Sequence, residues 1–229
     1  MNQAFIDFVR YVVGGDLAEV SRRLAASPSF AATPSKDGAT RQDASTFFFT
    51  EIYHYLYPGD TALHMAAAAF QRPVAELLVA HEAYCRAKNC HGAEPLHYAA
   101  DTNHWDPMAQ ADTIKYLLLV GADPNGLDNS GVAPLHRAVR TRSSPAVQAL
   151  LAGGASPTAP NKAGSTPLHL AVQTTGRGGS GSEHAREQQT YIIKLLLAHG
   201  ARPTDKDGRG KEVRHAAVSE WIRNLLAET

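Results

Sequence analysis

The chain has 229 residues, of which 44% are hydrophobic, so it can bury a sizeable core, and its 22 basic side chains equal its 22 acidic ones. This balance gives no support to a nucleic-acid partner, and no stretch approaches the roughly 18 apolar residues that a membrane-spanning helix needs. Two cysteines are too few for a disulfide framework, so we expect reduced thiols and a cytoplasmic protein without a membrane contact.

Residues 1–28 predict two helices joined by a Gly-Gly turn. The second helix is amphipathic and carries Leu17, Val20 and Leu24 on one face. The repeats described below predict a stack of helix pairs. Such a stack needs a unit of this kind at each end, because every inner unit buries its apolar face only against a neighbour. We therefore interpret residues 1–28 as an amino-terminal capping unit.

Residues 29–58, called the finger below, are polar and turn-rich at first and densely aromatic afterwards. Periodicity does not decide between helix and strand for the aromatic half. Two interpretations stay open: the rings form an exposed binding patch with Phe48 and Tyr55 as contacts, or most of them fold back as local core. The rings concerned are those of Phe47, Phe48, Phe49, Tyr53, Tyr55 and Tyr57.

Internal repeats follow the finger and are the main signal in the chain. Four segments align as GDTALHMAAA from Gly59, GAEPLHYAAD from Gly92, GVAPLHRAVR from Gly131 and GSTPLHLAVQ from Gly164, with a degenerate GKEVRHAAVS from Gly210. Their shared pairs are Leu63-His64, Leu96-His97, Leu135-His136 and Leu168-His169. A leucine-rich stretch follows each pair, which predicts a period of two helices.

The spacing between the two halves of each repeat locates two insertions. The interval is 15 residues from Leu63 to Leu78 and from Leu135 to Leu150, but 21 from Leu96 to Leu117 and 28 from Leu168 to Leu196. Because the later spacing to the corner is constant, the extra residues are predicted to lie between the helices. They are DTNHWDPMAQAD, from Asp101, and the Gly/Ser-rich TTGRGGSGSEHAREQ, from Thr174, which we expect to be a flexible loop.

Capping residues support helix boundaries in these repeats. Thr166 is a plausible N-cap, with Pro167 at the first helical position, where the missing N–H would be unpaired anyway. Gly121, Gly154 and Gly200 fall just past the second helix, where a left-handed residue usually ends it. Glu82 stands at the aligned corner, so a left-handed backbone there would cost about 1 to 2 kcal/mol.

These motifs closely resemble ankyrin repeats, with their Thr-Pro-Leu-His segment, alanine pair, Leu-Leu helix and Gly-Ala-Asp corner. The resemblance implies an all-α solenoid of about six stacked helix-turn-helix units with projecting hairpin loops, in one domain over residues 1–229. After the cap and the finger, the units are repeat 2 (59–91), repeat 3 with its insertion (92–130), repeat 4 (131–163), repeat 5 with its insertion (164–206) and a carboxy-terminal cap (207–229).

The resemblance also implies a non-catalytic module, a scaffold, adaptor or inhibitor, that binds another protein through its hairpin tips and the concave face of its first helices. Trp105, in the first insertion, is either an anchor for a partner or a lid on its own repeat. The remaining residues assigned to the contact by register are Lys88, Cys90, His91, Asn129, Ser130 and Lys162 at the tips, and Asp101, Arg140, Thr141 and Gln173 at exposed first-helix positions.

Chemical roles have weaker support. By resemblance, the four repeat histidines bond to backbone and to the neighbouring Thr or its replacement, and Leu63, Leu96, Leu135 and Leu168 are structural. His81, Cys85, Cys90 and His91 are the one cluster with zinc-type ligands, but their spacing is a poor match to a zinc site.

No nucleophile elbow or cofactor loop is present, so we expect neither an enzyme nor a cofactor. The other alternative is a structural subunit that assembles through the finger; otherwise we expect a monomer.

Overall fold

The structure is a computed structural model that describes residues 3–40, 42–101, 106–173 and 181–227. Within these ranges, helices pair in six successive units, which confirms the predicted all-α solenoid of helix-turn-helix units. The pairs are α1 (Gln3–Gly14) and α2 (Leu17–Ala26), α3 (Ala62–Ala68) and α4 (Arg72–Ala80), α5 (Pro95–Ala100) and α6 (Pro107–Leu119), α7 (Pro134–Thr141) and α8 (Ser144–Ala152), α9 (Pro167–Ala171) and α10 (Glu183–Ala198), and α11 (Val213–Ala216) and α12 (Glu220–Ala227).

Local sequence explains where these helices begin. Three first helices start with proline, at Pro95, Pro134 and Pro167. At that position proline loses no helical hydrogen bond and its fixed φ already suits the helix. Several second helices begin instead with a side-chain cap, as where Asp106 accepts from Ala109 N at 3.0 Å.

The units stack through their first helices. α3 packs on α5, α5 on α7 and α7 on α9, and the second helices form an outer layer, with α4 on α6 and α6 on α8. The alanine two residues after each repeat histidine is buried, and one continuous core runs along the stack. These alanines are Ala66, Ala99, Ala138 and Ala171.

Left-handed residues form the corners after the second helices. Gly121, Gly154 and Gly200 have φ values of 96°, 89° and 101°, and Glu82 has a φ of 67° at the aligned position. A side chain at a left-handed position costs about 1 to 2 kcal/mol. Glu82 is therefore strained, and the corner keeps the geometry of the other repeats.

The insertions partly lengthen the second helices, which corrects the prediction that they lie wholly between helices. In the first insertion Pro107 already begins α6, and in the second Glu183 begins α10, so residues 183–188 are helical where a flexible loop was expected. Residues 102–105 and 174–180 lie outside the described residues.

A buried glutamine near the start of each lengthened helix binds the end of the preceding first helix. The Gln110 Nε2 donates to Ala99 O at 2.9 Å, and the Gln189 Nε2 donates to Ala171 O at 2.6 Å. These bonds satisfy carbonyls that the short first helices leave unpaired. They anchor each lengthened helix to the end of the preceding first helix.

The finger folds back onto the solenoid and contains the two strands. β1 (Phe48–Phe49) pairs antiparallel with β2 (His54–Tyr55), in the register Phe48 to Tyr55 and Phe49 to His54. The polar half runs alongside, where Ala39 N donates to Leu56 O at 2.7 Å. This contact ties the two halves of the finger together.

The finger's rings divide between the core and the surface. Phe47 and Phe49 are buried, together with Leu56, and all three belong to the solenoid core. Tyr53 is 68% exposed. The rings of Phe48, Tyr55 and Tyr57 are half-buried at the surface. Among the described residues, no helix is long and apolar enough to cross a membrane.

Candidate functional site

A ladder of backbone hydrogen bonds joins the hairpin loops along one edge of the stack. Each loop bonds to the next: Cys90 N donates to Pro58 O (2.8 Å), Asn129 N to His91 O (2.8 Å), Lys162 N to Ser130 O (3.3 Å) and Gly208 N to Ala163 O (3.1 Å). The tips therefore form a continuous, backbone-fixed row beside the first helices. This row and the exposed side of the first helices form the concave face.

The repeat histidines brace this row from below. In the second repeat, His64 Nδ1 accepts from Thr61 N at 3.0 Å, while its Nε2 bonds to Ala93 O of the next repeat at 3.1 Å. The same pair of bonds recurs at the other three histidines, where Nε2 reaches Val132 O (His97), Ser165 O (His136) and Lys211 O (His169). Each ring thus links the start of its own first helix to the following hairpin.

These bonds require a neutral imidazole. Because Nδ1 accepts from a backbone N–H, the ring proton must be on Nε2, which donates to the carbonyl. Burial lowers the pKa of His64 and His136, and burial together with the charge of Arg137 lowers the pKa of His97 to about 4. The rings of His64, His97 and His136 are accordingly uncharged near neutral pH.

A salt-bridge cluster lies on the concave face between the third and fourth repeats. Arg137 donates to Asp101 at 2.6 Å and to Asp128 at 2.9 Å, and Arg140 reaches Asp101 at 3.1 Å. Burial alone would lower the pKa of Arg137, but the two carboxylates outweigh it and raise the pKa. The cluster ties the end of α5 to α7 and to the next hairpin.

The finger and the concave face meet in direct ring contacts. The centroid of His54, on β2, lies 4.5 Å from that of Tyr98, on α5. Tyr57 meets His91, at a hairpin tip, edge to face at 4.8 Å. The sequence left the finger and the groove as rival contact surfaces, but here they are adjacent parts of one surface.

A buried polar network lies behind these rings. Asp60 is fully buried, and its carboxylate accepts from Tyr57 N (2.6 Å), the Tyr98 hydroxyl (2.9 Å) and the Asn89 amide (2.9 Å). Asn89 in turn accepts from His91 N and Ala93 N of its own hairpin. The network therefore fixes the finger, the hairpin and α5 relative to one another.

Most predicted contact residues are accessible, with one correction. Asp101 was assigned to an exposed position but is only 8% exposed, because Arg137 and Arg140 bind it from the next repeat. Thr141, Phe48 and Tyr55 are half-buried, and Trp105 lies outside the described residues. The exposed residues are Lys88, Cys90, His91, Asn129, Ser130, Arg140, Lys162 and Gln173.

The zinc-type cluster is dispersed. Cys85 is buried and its thiol lies 3.4 Å from Val120 O, whereas His81 bonds through Nδ1 to Leu77 O of its own helix. Cys90 and His91 are exposed at a hairpin tip. In the described part of the chain, no three His, Cys, Asp or Glu side chains are placed to share a metal ion. The alternative of a metal site at this corner therefore lacks a ligand set.

Sequence reasoning missed several residues that shape the face, notably His54, Tyr98 and Arg137. Tyr98 and Arg137 each follow the repeat histidine directly, at the same register. Because both point from a first helix toward the concave face, that register was the available signal. His54 had no such signal, since only the fold of the finger brings it to Tyr98.

Comparison with known protein families identifies the fold. A family model for ankyrin repeats, in three copies, matches residues 107–207, and a single-repeat model matches residues 58–90. Together they cover more than half of the chain. Ankyrin repeats are generally protein–protein interaction modules, and proteins built from them are typically not enzymes. The helix pairs, the histidine braces and these matches together show that the chain belongs to the ankyrin-repeat family.

Proposed function

We propose that this protein holds a partner protein against its concave face and that the finger forms one end of the contact surface. The single observation behind this is the junction of the finger with the hairpin row, where Tyr57 packs on His91. The finger buries its apolar side in the core and still leaves Tyr53, Tyr55 and Tyr57 accessible beside the tips. Aromatic side chains on a rigid support are the usual anchors of protein interfaces.

Rigidity favours this role over a catalytic one. Backbone bonds fix the hairpin tips, and histidine bonds link the four first helices α3, α5, α7 and α9 to the next hairpin, so a partner meets a surface that loses little conformational freedom on binding. The exposed residues that line it include Arg140, Lys162 and Gln173, which are polar contacts of the kind found at interface rims. We propose a scaffold, adaptor or inhibitor without chemistry of its own.

Affinity capture from the native cell tests the proposal. Wild-type protein is compared with a double variant, His91→Glu with Arg140→Glu, which reverses two exposed groups on the concave face. Lys115→Glu is the matched control, because Lys115 is exposed on α6, an outer helix. We expect a partner that wild type and Lys115→Glu recover equally and that the double variant loses. Equal recovery by all three proteins would place the contact elsewhere.

We further propose a cytoplasmic monomer. The two cysteines, Cys85 and Cys90, are free, as expected for a reducing compartment. Light scattering of the purified chain gives the oligomeric state directly. A dimer or larger species that dissociates when Tyr53 and Tyr55 are changed to serine would instead support assembly through the finger.

A further inference from the structure

A small cavity of about 230 Å³ lies where the finger meets the concave face. Its walls include the rings of His54, Tyr57 and Tyr98, and His91 stands at its edge. The remaining lining includes Asn89 and the Arg137–Asp101 salt bridge. The cavity is large enough for one long side chain and too small for a folded element.

Asp60 lies directly behind the wall of this cavity, because it bonds to two of the lining side chains, Tyr98 and Asn89. All three groups that donate to its carboxylate are neutral. Among the described residues, the one basic group within 4.0 Å is His64 Nε2, at 3.9 Å. His64 is uncharged, since burial lowers its pKa and its Nε2 proton is donated to Ala93 O.

The other charged side chains beside the cavity are paired with one another. Arg137 and Arg140 are both bound to Asp101 or Asp128, so two cations meet two anions. Burial lowers the pKa of His54, which keeps that ring neutral as well. Asp60 is therefore a fully buried carboxyl group that accepts three hydrogen bonds from neutral donors and, among the described residues, has no lysine or arginine within 4.0 Å. A carboxylate in such a place acts strongly on its surroundings, because little water screens it.

The walls suit a cation for a second reason. The faces of Tyr57, Tyr98 and the neutral His54 ring carry partial negative charge, and cations are attracted to aromatic faces. A carboxylate in the cavity would meet both these faces and the field of Asp60. An aliphatic side chain would fill the space but leave Asp60 uncompensated.

We propose that this cavity binds a basic side chain, lysine or arginine, presented by the partner protein. The inference rests on the proposed function, since it names the chemistry of the group that the concave face receives. The cation would lie between the rings of Tyr57 and Tyr98, and the buried Asp60 would supply its counter-charge through the wall. The partner's contact segment is accordingly expected to expose at least one basic residue.

Short peptides test the cavity without knowledge of the partner. The probe is acetyl-Gly-Arg-Gly-amide, and its control is the same peptide with citrulline, which has nearly the same shape but no charge. Both are titrated into the full chain and followed by NMR. We expect saturable shifts at Tyr57, His91 and Tyr98, with the citrulline peptide at least about tenfold weaker, as expected for loss of one charge contact at short range. A lysine peptide should also bind, and a glutamate peptide should not.

Variants of the protein locate the counter-charge. Asp60→Asn keeps the size of the side chain. This variant is expected to bind the arginine peptide no more tightly than wild type binds the citrulline peptide. Glu51→Gln removes one negative charge from an exposed site on the finger and should change nothing. If circular dichroism shows that Asp60→Asn does not fold, Tyr57→Leu is tested in its place. That variant should lower the affinity for the arginine peptide several-fold and the affinity for the citrulline peptide much less.

The outcomes separate this inference from the proposed function. Equal binding of the arginine and citrulline peptides, tighter binding of the glutamate peptide, or an absence of shifts at the cavity would overturn the inference. If that happens while the double variant on the concave face still loses its partner, the proposed function stands alone. If the peptides bind as expected but the double variant keeps its partner, the cavity binds basic side chains and the proposed contact on the concave face is wrong.

Discussion

Repeat 4, residues 131–163, and the finger, residues 29–58, are held in place in different ways. In repeat 4 the features that define the helix pair recur in its neighbours: proline at the first helical position, the bonded histidine and a left-handed glycine corner. The finger shares one recurring bond, from Cys90 N to Pro58 O, but its position otherwise depends on contacts specific to it, such as the buried Leu56 and the bond from Tyr57 N to Asp60. Periodic contacts build the scaffold, and non-periodic ones shape the surface that we propose binds a partner.

Core truncation tests whether the finger is as integral as the repeat. Leu56→Ala in the finger and Leu135→Ala in repeat 4 both remove fully or almost fully buried side chains. Each should lower the free energy of unfolding by about 2 to 5 kcal/mol, since cavities of this size cost that much. Urea denaturation measures the loss, and Tyr53→Ala, at an exposed site, is the control that should be nearly neutral. A small effect of Leu56→Ala would show that the finger is dispensable to the core.

The hydrogen bonds of the repeat histidines should make the stability of the protein depend on pH, and His97 offers the clearest test. With a folded-state pKa of about 4 and an ordinary value of 6.5 when unfolded, His97 binds its proton more readily in the unfolded chain. The contribution of neutral His97 to the free energy of unfolding is therefore complete above about pH 6.5 and is lost as the pH falls toward 4. Between pH 7.5 and pH 5 the loss should be about 2 kcal/mol.

The measurement compares wild type with His97→Gln. Carboxyl groups titrate in both proteins, so their effects cancel in the difference between the two free energies of unfolding. Wild type should be more stable at pH 7.5, by about 2 to 4 kcal/mol for two buried hydrogen bonds. This advantage should shrink steadily as the pH falls. A difference that stays constant from pH 7.5 to pH 5 would mean that His97 is not held in its neutral form.

The smallest expected effect concerns the corners, where one repeat departs from the rest. Glu82→Gly should stabilise the protein by about 1 kcal/mol, because glycine adopts a left-handed backbone without strain. The reciprocal change, Gly121→Ala, should destabilise it by about the same amount. The added methyl group would meet no atom within 4 Å, so only the backbone strain is measured. We expect Glu82→Gly to raise the midpoint temperature of thermal unfolding and Gly121→Ala to lower it. Shifts in the same direction would show that the two corners differ in more than the residue.

Much of this fold follows from local sequence. The Leu-His pairs, the alanines and the glycine corners specify helix pairs because each requirement lies within one repeat or between neighbours, at a fixed separation along the chain. The resemblance to ankyrin repeats implied that His64 and His97 bond to backbone, and the structure adds the partners in the next hairpin, Ala93 O and Val132 O. Helix extension through the insertions could not be expected, because the carbonyl groups that Gln110 and Gln189 bind are brought to them only by the packing of the helix pairs.

The surface was decided by tertiary structure. Sequence alone supplied a row of aromatic residues in the finger and a row of polar residues at the tips, but not their adjacency. That adjacency depends on His54 reaching Tyr98, on Tyr57 reaching His91, and on Asp60 binding groups far apart in the chain. Such contacts repeat with no period, so no pattern in the sequence reports them. Nearest-neighbour packing determines the stack, whereas the buried carboxylate and its cavity exist only once the finger has folded onto it.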